Sequence, residues 1–205
     1  ILIPNPRDLP AVLKELSKHT FHSFPAVNTL FNGLANHPDF NTVNWKNLKV
    51  SVGGGMAVQS GTAKLWLEKT GCPICEGYGL SETSPVASCN LVTARQWSGT
   101  IGLPVSNTEI AIRDDQGHPL PDLHVGRIKV RGPSVMSGYF GKPEQTRQAL
   151  SPDGWLDTGD IGYLVDGSVV VTGRHKDMII INGRNIWPQD IEHIAERQPE
   201  LRSMD

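Results

Sequence analysis

Short apolar runs alternate with stretches of helical periodicity through the first ninety residues, and this alternation is the feature that most constrains the fold. Leu9, Val12, Leu13 and Leu16 have the spacing of one helix face. The expected order is helix 9–16, strand 21–24, helix from residue 28, strand 48–52, helix 58–69 and strand 73–76. Strands that alternate with helices of this length predict a parallel sheet with right-handed crossovers.

A different pattern begins after about residue 95. Several short segments there alternate apolar and polar residues, and Asp166-Gly167 between two of them is a strong hairpin signal. A final helix enters through Pro188. We therefore predict an α/β protein in three parts: residues 1–95 in a parallel α/β layer, 96–173 in a β-rich, distorted barrel-like subdomain, and 174–205 at the start of a small α+β domain.

Charge and hydropathy exclude several classes of function. Nineteen basic and 21 acidic side chains give a formal net charge of −2, so no basic surface for nucleic acid is expected. No apolar run approaches the roughly 20 residues of a membrane-spanning helix. The chain opens without methionine and stops just after the final helix, which suggests a fragment of a longer protein.

The three cysteines, Cys72, Cys75 and Cys89, are too few for a disulfide framework and favour a reducing cytoplasm. Cys72 and Cys75 have the spacing of a metal-binding or redox pair. Because a second pair is missing, we interpret them as core thiols.

Two glycine-rich segments follow neighbouring predicted strands, where open parallel sheets bind ligands. Gly53-Gly54-Gly55 would let a ligand approach the backbone closely, although a tight strand-to-helix turn would use the same residues. In the second segment, residues 76–83, Tyr78 offers a face for stacking on a base and Glu82 a hard oxygen for magnesium. A solvated turn is the alternative.

Asp160 and Arg174 flank the Asp166-Gly167 hairpin, whose strands could bring them together. A loop aspartate can accept both hydroxyl groups of a ribose, and an arginine can contact hydroxyl or phosphate groups. From the residues alone, a structural salt bridge is an equally good interpretation.

Taken in order, seven motifs resemble the adenylate-forming (AMP-binding) superfamily, and most closely the long-chain fatty acid–CoA ligases. They are residues 27–32 (VNTLFN), 53–56 (GGGM), 77–83 (GYGLSET), 98–104 (SGTIGLP), 135–140 (VMSGYF) with 143–144 (PE), 155–160 (WLDTGD) and 173–177 (GRHKD). The resemblance implies that residues 1–173 belong to the AMP-binding domain and that residues 174–205 begin the next domain.

The resemblance also implies a two-step reaction. A fatty acid carboxylate attacks the α-phosphate of ATP, with Mg²⁺ as cofactor, and the resulting acyl-AMP then transfers its acyl group to coenzyme A. The implied nucleotide- and coenzyme-binding residues are Gly53, Gly54, Gly55, Glu76, Gly77, Tyr78, Gly79, Leu80, Ser81, Asp160, Arg174 and Gly183. Val27 and Asn28 would border the acyl pocket. An enzyme of this kind is expected in the cytoplasm, with peripheral membrane contact allowed and the oligomeric state left open.

Individual roles also follow from the resemblance. Tyr78 would stack on adenine, Ser81 would contact the α-phosphate and Glu82 would hold magnesium. Asp160 would bind the ribose hydroxyl groups, with Arg174 on ribose and phosphate. Ser81, Glu82, Arg174 and Lys176 form the implied catalytic set, Lys176 at a hinge between domains and Gly183 beside the thiol tunnel.

Several departures keep alternatives open. The family's phosphate loop and its C-terminal catalytic lysine are not among these 205 residues, so the chain alone would be a catalytically inactive nucleotide-binding fragment. Arg127 stands where the family generally has glutamate. Residues 183–192 are closer to fatty acyl-AMP ligases, which load a carrier protein, whereas the short interval from Asn90 to Ser98 favours CoA ligases.

Overall fold

A computed structural model describes residues 1–181, 184–186 and 188–195. The chain divides into two compact units, the first formed by Ile1–Gly79 and Ser88–Leu103 and the second by Leu80–Ala87 and Pro104–Asp205. None of the helices in the described ranges is long and apolar enough to cross a membrane.

The first unit alternates helices and strands as predicted. Its elements are α1 (Leu9–Leu16), β1 (Ser23–Ala26), α2 (Asn28–Asn36), β2 (Val50–Gly53), α3 (Ser60–Thr70) and β3 (Ile74–Gly79). Strands β1, β2 and β3 are parallel neighbours. Asp8 caps the first turn of α1 by accepting a hydrogen bond from the Ala11 N–H at 3.1 Å. Gly71 ends α3 in the left-handed conformation, with φ at 70°.

An aromatic cluster forms the core of this unit. The rings of Phe24 and Trp66 stack with centroids 5.7 Å apart, and Phe31 meets Trp66 edge-on at 4.8 Å. The indole nitrogen of Trp66 donates a hydrogen bond to Ser51 Oγ at 2.9 Å, so this fully buried side chain leaves no polar atom unsatisfied. The cluster fixes helices α2 and α3 against the sheet.

Strands β4 (Val86–Cys89) and β5 (Leu103–Pro104) complete the sheet, whose strand order is β1-β2-β3-β4-β5. Along the chain, the assignment to the two units changes within each of these two strands.

The second unit contains an antiparallel sheet of β6 (Glu109–Arg113), β7 (Gly126–Arg131), β8 (Leu156–Val165) and β9 (Ser168–Arg174), in that order. Helix α4 (Pro143–Ala149) lies between β7 and β8 in the chain. Strands β10 (Ile179–Ile181) and β11 (Arg184–Ile186) form an antiparallel pair before α5 (Pro188–Ala195). The α/β class is confirmed, and the β-rich part is an open sheet among the described residues rather than a closed barrel.

Two segments predicted as loops are strand instead. Gly77, Tyr78 and Gly79 form the end of β3, and Leu156 already begins β8. Pairing with neighbouring strands explains both differences: β3 lies between β2 and β4 in the sheet, and Leu156 pairs with Val130 of β7. Sheet contacts thus override the low strand propensity of glycine and aspartate.

Candidate functional site

In the first unit, the two glycine-rich segments share one edge of the parallel sheet, as expected. Gly53, the last residue of β2, pairs with Glu76 of β3. A Cβ placed on Gly54 would lie 3.4 Å from the Gly77 carbonyl oxygen, so the two backbones are adjacent.

Gly53 has no room for a side chain. A Cβ at this position would lie 2.5 Å from Val58 Cγ2 and 2.9 Å from Ile74 Cγ2. The glycine therefore lets the segment after β2 fold back closely over the sheet. The tight strand-to-helix turn named above as an alternative is thus present, and the same residues remain a candidate binding loop.

Glu76 is buried at the same edge and is used internally. Its Oε1 accepts a hydrogen bond from the Val58 N–H at 3.1 Å, which connects β3 to the segment before α3. Burial raises the pKa of the Glu76 carboxyl above its usual value, and the bond from Val58 opposes this effect only in part. A role for Glu76 in nucleotide binding stays a prediction.

The two residues predicted to border the acyl pocket differ in environment. Asn28 is buried, and its Oδ1 accepts a hydrogen bond from the Gln59 N–H at 3.0 Å. Val27 is exposed and lies beside the glycine segment, with Cγ1 3.6 Å from the position of a Cβ on Gly55. Their role toward a substrate also stays a prediction.

Cys72 and Cys75 are buried, in agreement with the interpretation as core thiols. A further neighbour could not be predicted from the spacing of the cysteines: the sulfur of Cys75 lies 3.7 Å from that of Cys89 and donates to the Asn90 carbonyl at 2.9 Å. Burial and the adjacent Cys89 raise the pKa of the Cys75 thiol to about 12, so this thiol is protonated at neutral pH.

In the second unit, Ser81 and Glu82 lie in a single 3-10 turn, Ser81–Thr83. Thr83 fixes this turn, because its buried hydroxyl oxygen accepts from the Leu80 N–H at 2.9 Å and donates to the Pro85 carbonyl at 2.7 Å. Ser81 is exposed, and Glu82 is half-buried. Both side chains can therefore reach a ligand while their backbone is held.

Tyr139 is a neighbour of Glu82 to which the sequence assigned no role. Its hydroxyl group donates to Glu82 Oε1 at 2.8 Å, across 57 residues of sequence. This contact raises the pKa of the Tyr139 phenol, because the phenolate would face the carboxylate. The motif of residues 135–140 singles out this segment in the sequence, but a motif does not show which side chain its tyrosine contacts.

Asp160 and Arg174 are brought together as the hairpin predicts. They are cross-strand partners in β8 and β9, and Arg174 Nε donates to Asp160 Oδ1 at 3.1 Å. Asp160 is buried, whereas the side chain of Arg174 is about half exposed. The salt bridge between these two side chains is therefore formed, and the exposed part of the Arg174 guanidinium can still contact an anion. Whether Asp160 also binds a ribose stays a prediction.

A partly buried ion-pair cluster lies on β7 and β8. Asp157 Oδ2 lies 2.6 Å from Arg127 Nη2 and 2.7 Å from Lys129 Nζ. Burial alone would raise the pKa of the Asp157 carboxyl, but hydrogen bonds from Lys129, the Gly159 N–H and Arg127 together lower it. Arg127 therefore has its own carboxylate partner, so its departure from the family pattern leaves an ion pair in place.

A cavity of about 440 Å³ in the second unit opens beside these residues. Its wall is formed by Tyr139, Lys142, Gln145, Gln148, Ala149, Asp157, Thr158 and Gly159. The wall carries both hydrogen-bonding and apolar groups.

The two remaining predicted residues lie near the end of the described chain. Lys176 is exposed in the 3-10 turn His175–Asp177 that follows β9. Gly183 lies outside the described residues.

A parallel sheet flanked by helices and a separate antiparallel sheet define the chain as an α/β protein, and sequence comparison specifies its family. The model of the AMP-binding enzyme family matches residues 1–140, so the chain belongs to that family.

Relatives and solved structures agree with this assignment. A long-chain-fatty-acid–CoA ligase of Yersinia pestis is 45% identical over 95% of this chain and 35% of its own length. One from Bacillus subtilis is 38% identical over 88% of the chain and 32% of its own length. The anthranilate CoA ligase AuaEII, in complex with anthranoyl-AMP, superposes with a TM-score of 0.88 and 26% identity over 97% of this chain and 38% of its own. The chain thus spans about a third of the relatives it matches.

Proposed function

We propose that the protein containing this chain is an ATP-dependent fatty acid–CoA ligase that forms an acyl-AMP intermediate. The observation that carries the proposal is the similarity to long-chain-fatty-acid–CoA ligases across nearly the whole chain, at 45% identity to the Yersinia pestis enzyme. The glycine-lined sheet edge and the Asp160–Arg174 pair support it because they supply the group types that a nucleotide requires.

In the first half-reaction, a carboxylate oxygen of the fatty acid attacks the α-phosphorus of ATP, and pyrophosphate leaves. Tyr78 would stack on the adenine and Asp160 would accept the ribose hydroxyl groups. Ser81 would donate its hydroxyl to the α-phosphate, and the exposed part of Arg174 would offset negative charge there. These groups bind and orient the nucleotide so that the attacking oxygen and the departing pyrophosphate are in line.

Glu82 fits the requirements of a magnesium ligand. One of its oxygens accepts a hydrogen bond from the uncharged Tyr139 hydroxyl, and its second oxygen remains available. Magnesium is usually held by one or two carboxylates together with substrate phosphates, and the described residues contain no group of three or more metal-ligating side chains. When bound, the ion would neutralise phosphate charge as pyrophosphate leaves.

In the second half-reaction, the thiol of coenzyme A attacks the acyl carbon, a thioester forms and AMP leaves. Residues 174–205 would begin a domain that rotates about Lys176 between the two steps, and Gly183 would border the thiol path. Val27 would line the acyl pocket beside the glycine segment, with Asn28 holding its wall. These roles and the domain boundaries at residues 95 and 173 are parts of the proposal.

The test uses the full-length protein, ATP, Mg²⁺ and a long-chain fatty acid, with and without coenzyme A. We expect exchange of labelled pyrophosphate into ATP that depends on fatty acid, and acyl-CoA with equal amounts of AMP once coenzyme A is added. Acyl-AMP that accumulates and is consumed only by an acyl carrier protein would favour a fatty acyl-AMP ligase. No exchange with any carboxylate would overturn the proposal.

A further inference from the structure

Three hydrogen bonds connect residues 136–139 to Glu82 and to Thr146 in the second unit. The Met136 N–H donates to the Glu82 carbonyl at 2.8 Å, and the Tyr139 hydroxyl donates to Glu82 Oε1 at 2.8 Å. The Tyr139 N–H in turn donates to Thr146 Oγ1 at 2.9 Å. The backbone and the side chain of Glu82 are therefore both held by one short segment, whose own position is fixed by helix α4.

The Tyr139 contact limits a side chain that would otherwise move. A half-exposed glutamate has three rotatable bonds, so without a partner its carboxylate would sample many positions. Tyr139 holds Oε1, and no described residue forms a hydrogen bond or ion pair with Oε2. One oxygen of the Glu82 carboxylate is therefore held by the protein, and the other is available to a ligand.

The chemical type of this partner matters as much as its position. A lysine or arginine at the same place would neutralise the carboxylate and compete with a cation. A phenol donates one hydrogen bond and carries no charge, so it orients the carboxylate without reducing its attraction for a cation. Neutral donors behind a metal ligand commonly fix its orientation in this way.

We propose that Tyr139 is a positioning residue that orients the Glu82 carboxylate for a divalent cation bound together with ATP. The inference rests on the proposed function, because it takes Glu82 as the cation ligand. It adds a second residue, distant in sequence, on which the affinity for the cation depends.

The experiment measures binding of Mn²⁺, as a paramagnetic probe, to the full-length protein in the presence of ATP. ATP alone also binds Mn²⁺, so a titration without protein is subtracted, and the additional loss of the free-ion signal in electron paramagnetic resonance reports the ion held at the protein. Tyr139→Phe removes only the hydroxyl, and we expect it to weaken Mn²⁺ binding by about 10- to 100-fold, as for other residues that orient metal ligands. Tyr163→Phe makes the same change on β8 and should leave Mn²⁺ binding as in the wild type.

Two further measurements separate positioning from general damage. ATP affinity with the metal chelated should be the same in Tyr139→Phe and wild type, whereas a distorted site would lower it. If Tyr139 acts through Glu82, the double variant Tyr139→Phe/Glu82→Gln should bind Mn²⁺ no more weakly than Glu82→Gln alone.

Wild-type Mn²⁺ affinity in Tyr139→Phe, or fully additive losses in the double variant, would overturn the inference. Absence of ATP-dependent Mn²⁺ binding in the wild type would overturn it as well. Intact Mn²⁺ binding with the expected loss in Tyr139→Phe, but no pyrophosphate exchange, would overturn only the proposed ligase activity.

Discussion

Asp160 is the residue whose chemistry is tested most simply. Asp160→Ala removes the acceptor proposed for the ribose hydroxyl groups, and one hydrogen bond to a charged group contributes about 1.5–3 kcal/mol. We therefore expect ATP, or a non-hydrolysable acyl-adenylate mimic, to bind the full-length variant about tenfold or more weakly in isothermal titration calorimetry.

The control for this change is Asp122→Ala, which removes a carboxylate from an exposed loop of the same unit. Its nucleotide affinity should match that of the wild type. Equal affinities in wild type and Asp160→Ala would leave the Asp160–Arg174 pair with a structural role only.

Asp157 gives a prediction about pH. Its pKa is lowered in the folded protein relative to the usual 3.8, so its ion pairs stabilise the fold above about pH 4 and this contribution is lost as pH falls through the folded pKa. Asp157→Asn leaves Arg127 and Lys129 without their carboxylate and should lower the free energy of unfolding at pH 7 by about 1–3 kcal/mol. Urea denaturation should show the difference between variant and wild type shrinking toward acid pH.

A matched comparison exists on the same sheet. Glu109 pairs with Arg131 at 2.8 Å, but both side chains are well exposed, so Glu109→Gln should change stability far less. Equal losses in the two variants would show that the burial of Asp157 is not what makes its ion pairs important.

At the scale of elements, the close return of the chain after β2 depends on Gly53. In Gly53→Ala the new methyl group would overlap Val58 and Ile74, and we expect a loss of about 1–3 kcal/mol in the free energy of unfolding, with weaker nucleotide binding.

Gly61→Ala is the control, since nothing lies within 4 Å of its Cβ position in α3. Alanine favours helix, so that variant should be unchanged or slightly more stable. Thermal unfolding of both variants tests the pair, and an unperturbed Gly53→Ala would contradict the proposed packing.

Local sequence signals predicted those elements whose own residues determine them. Residues 9–16 are the observed helix, and Asp166-Gly167 forms the expected turn with both residues at positive φ. The turn sets the register from Val165 to Gly162, and a β-bulge between Ile161 and Gly162 then shifts it by one residue and places Asp160 opposite Arg174. These features depend on spacing within about 15 residues.

Features set by distant partners were not predictable in this way. Gly77 to Gly79 have low strand propensity and become strand only because neighbouring strands pair with them. The Glu82–Tyr139 hydrogen bond and the Cys75–Cys89 contact join residues that no local pattern relates. The sequence therefore suggests which residue types could form a site, but not the contacts between distant residues that fix their positions.

At the scale of the whole molecule, the chain covers 35% of the Yersinia pestis ligase, so activity has to be measured on the full-length protein. Among the residues proposed to bind the nucleotide, Tyr78 belongs to the first unit, and Ser81, Glu82, Asp160 and Arg174 belong to the second.

The central claim, that a fatty acid carboxylate attacks the α-phosphate of ATP, is tested most directly by isotope transfer. The full-length protein would be incubated with ATP, Mg²⁺, coenzyme A and a fatty acid whose carboxylate oxygens carry heavy oxygen, and the products analysed by mass spectrometry. We expect one heavy oxygen atom in each AMP formed and none in pyrophosphate. Unlabelled AMP, or heavy oxygen in pyrophosphate or inorganic phosphate, would contradict it.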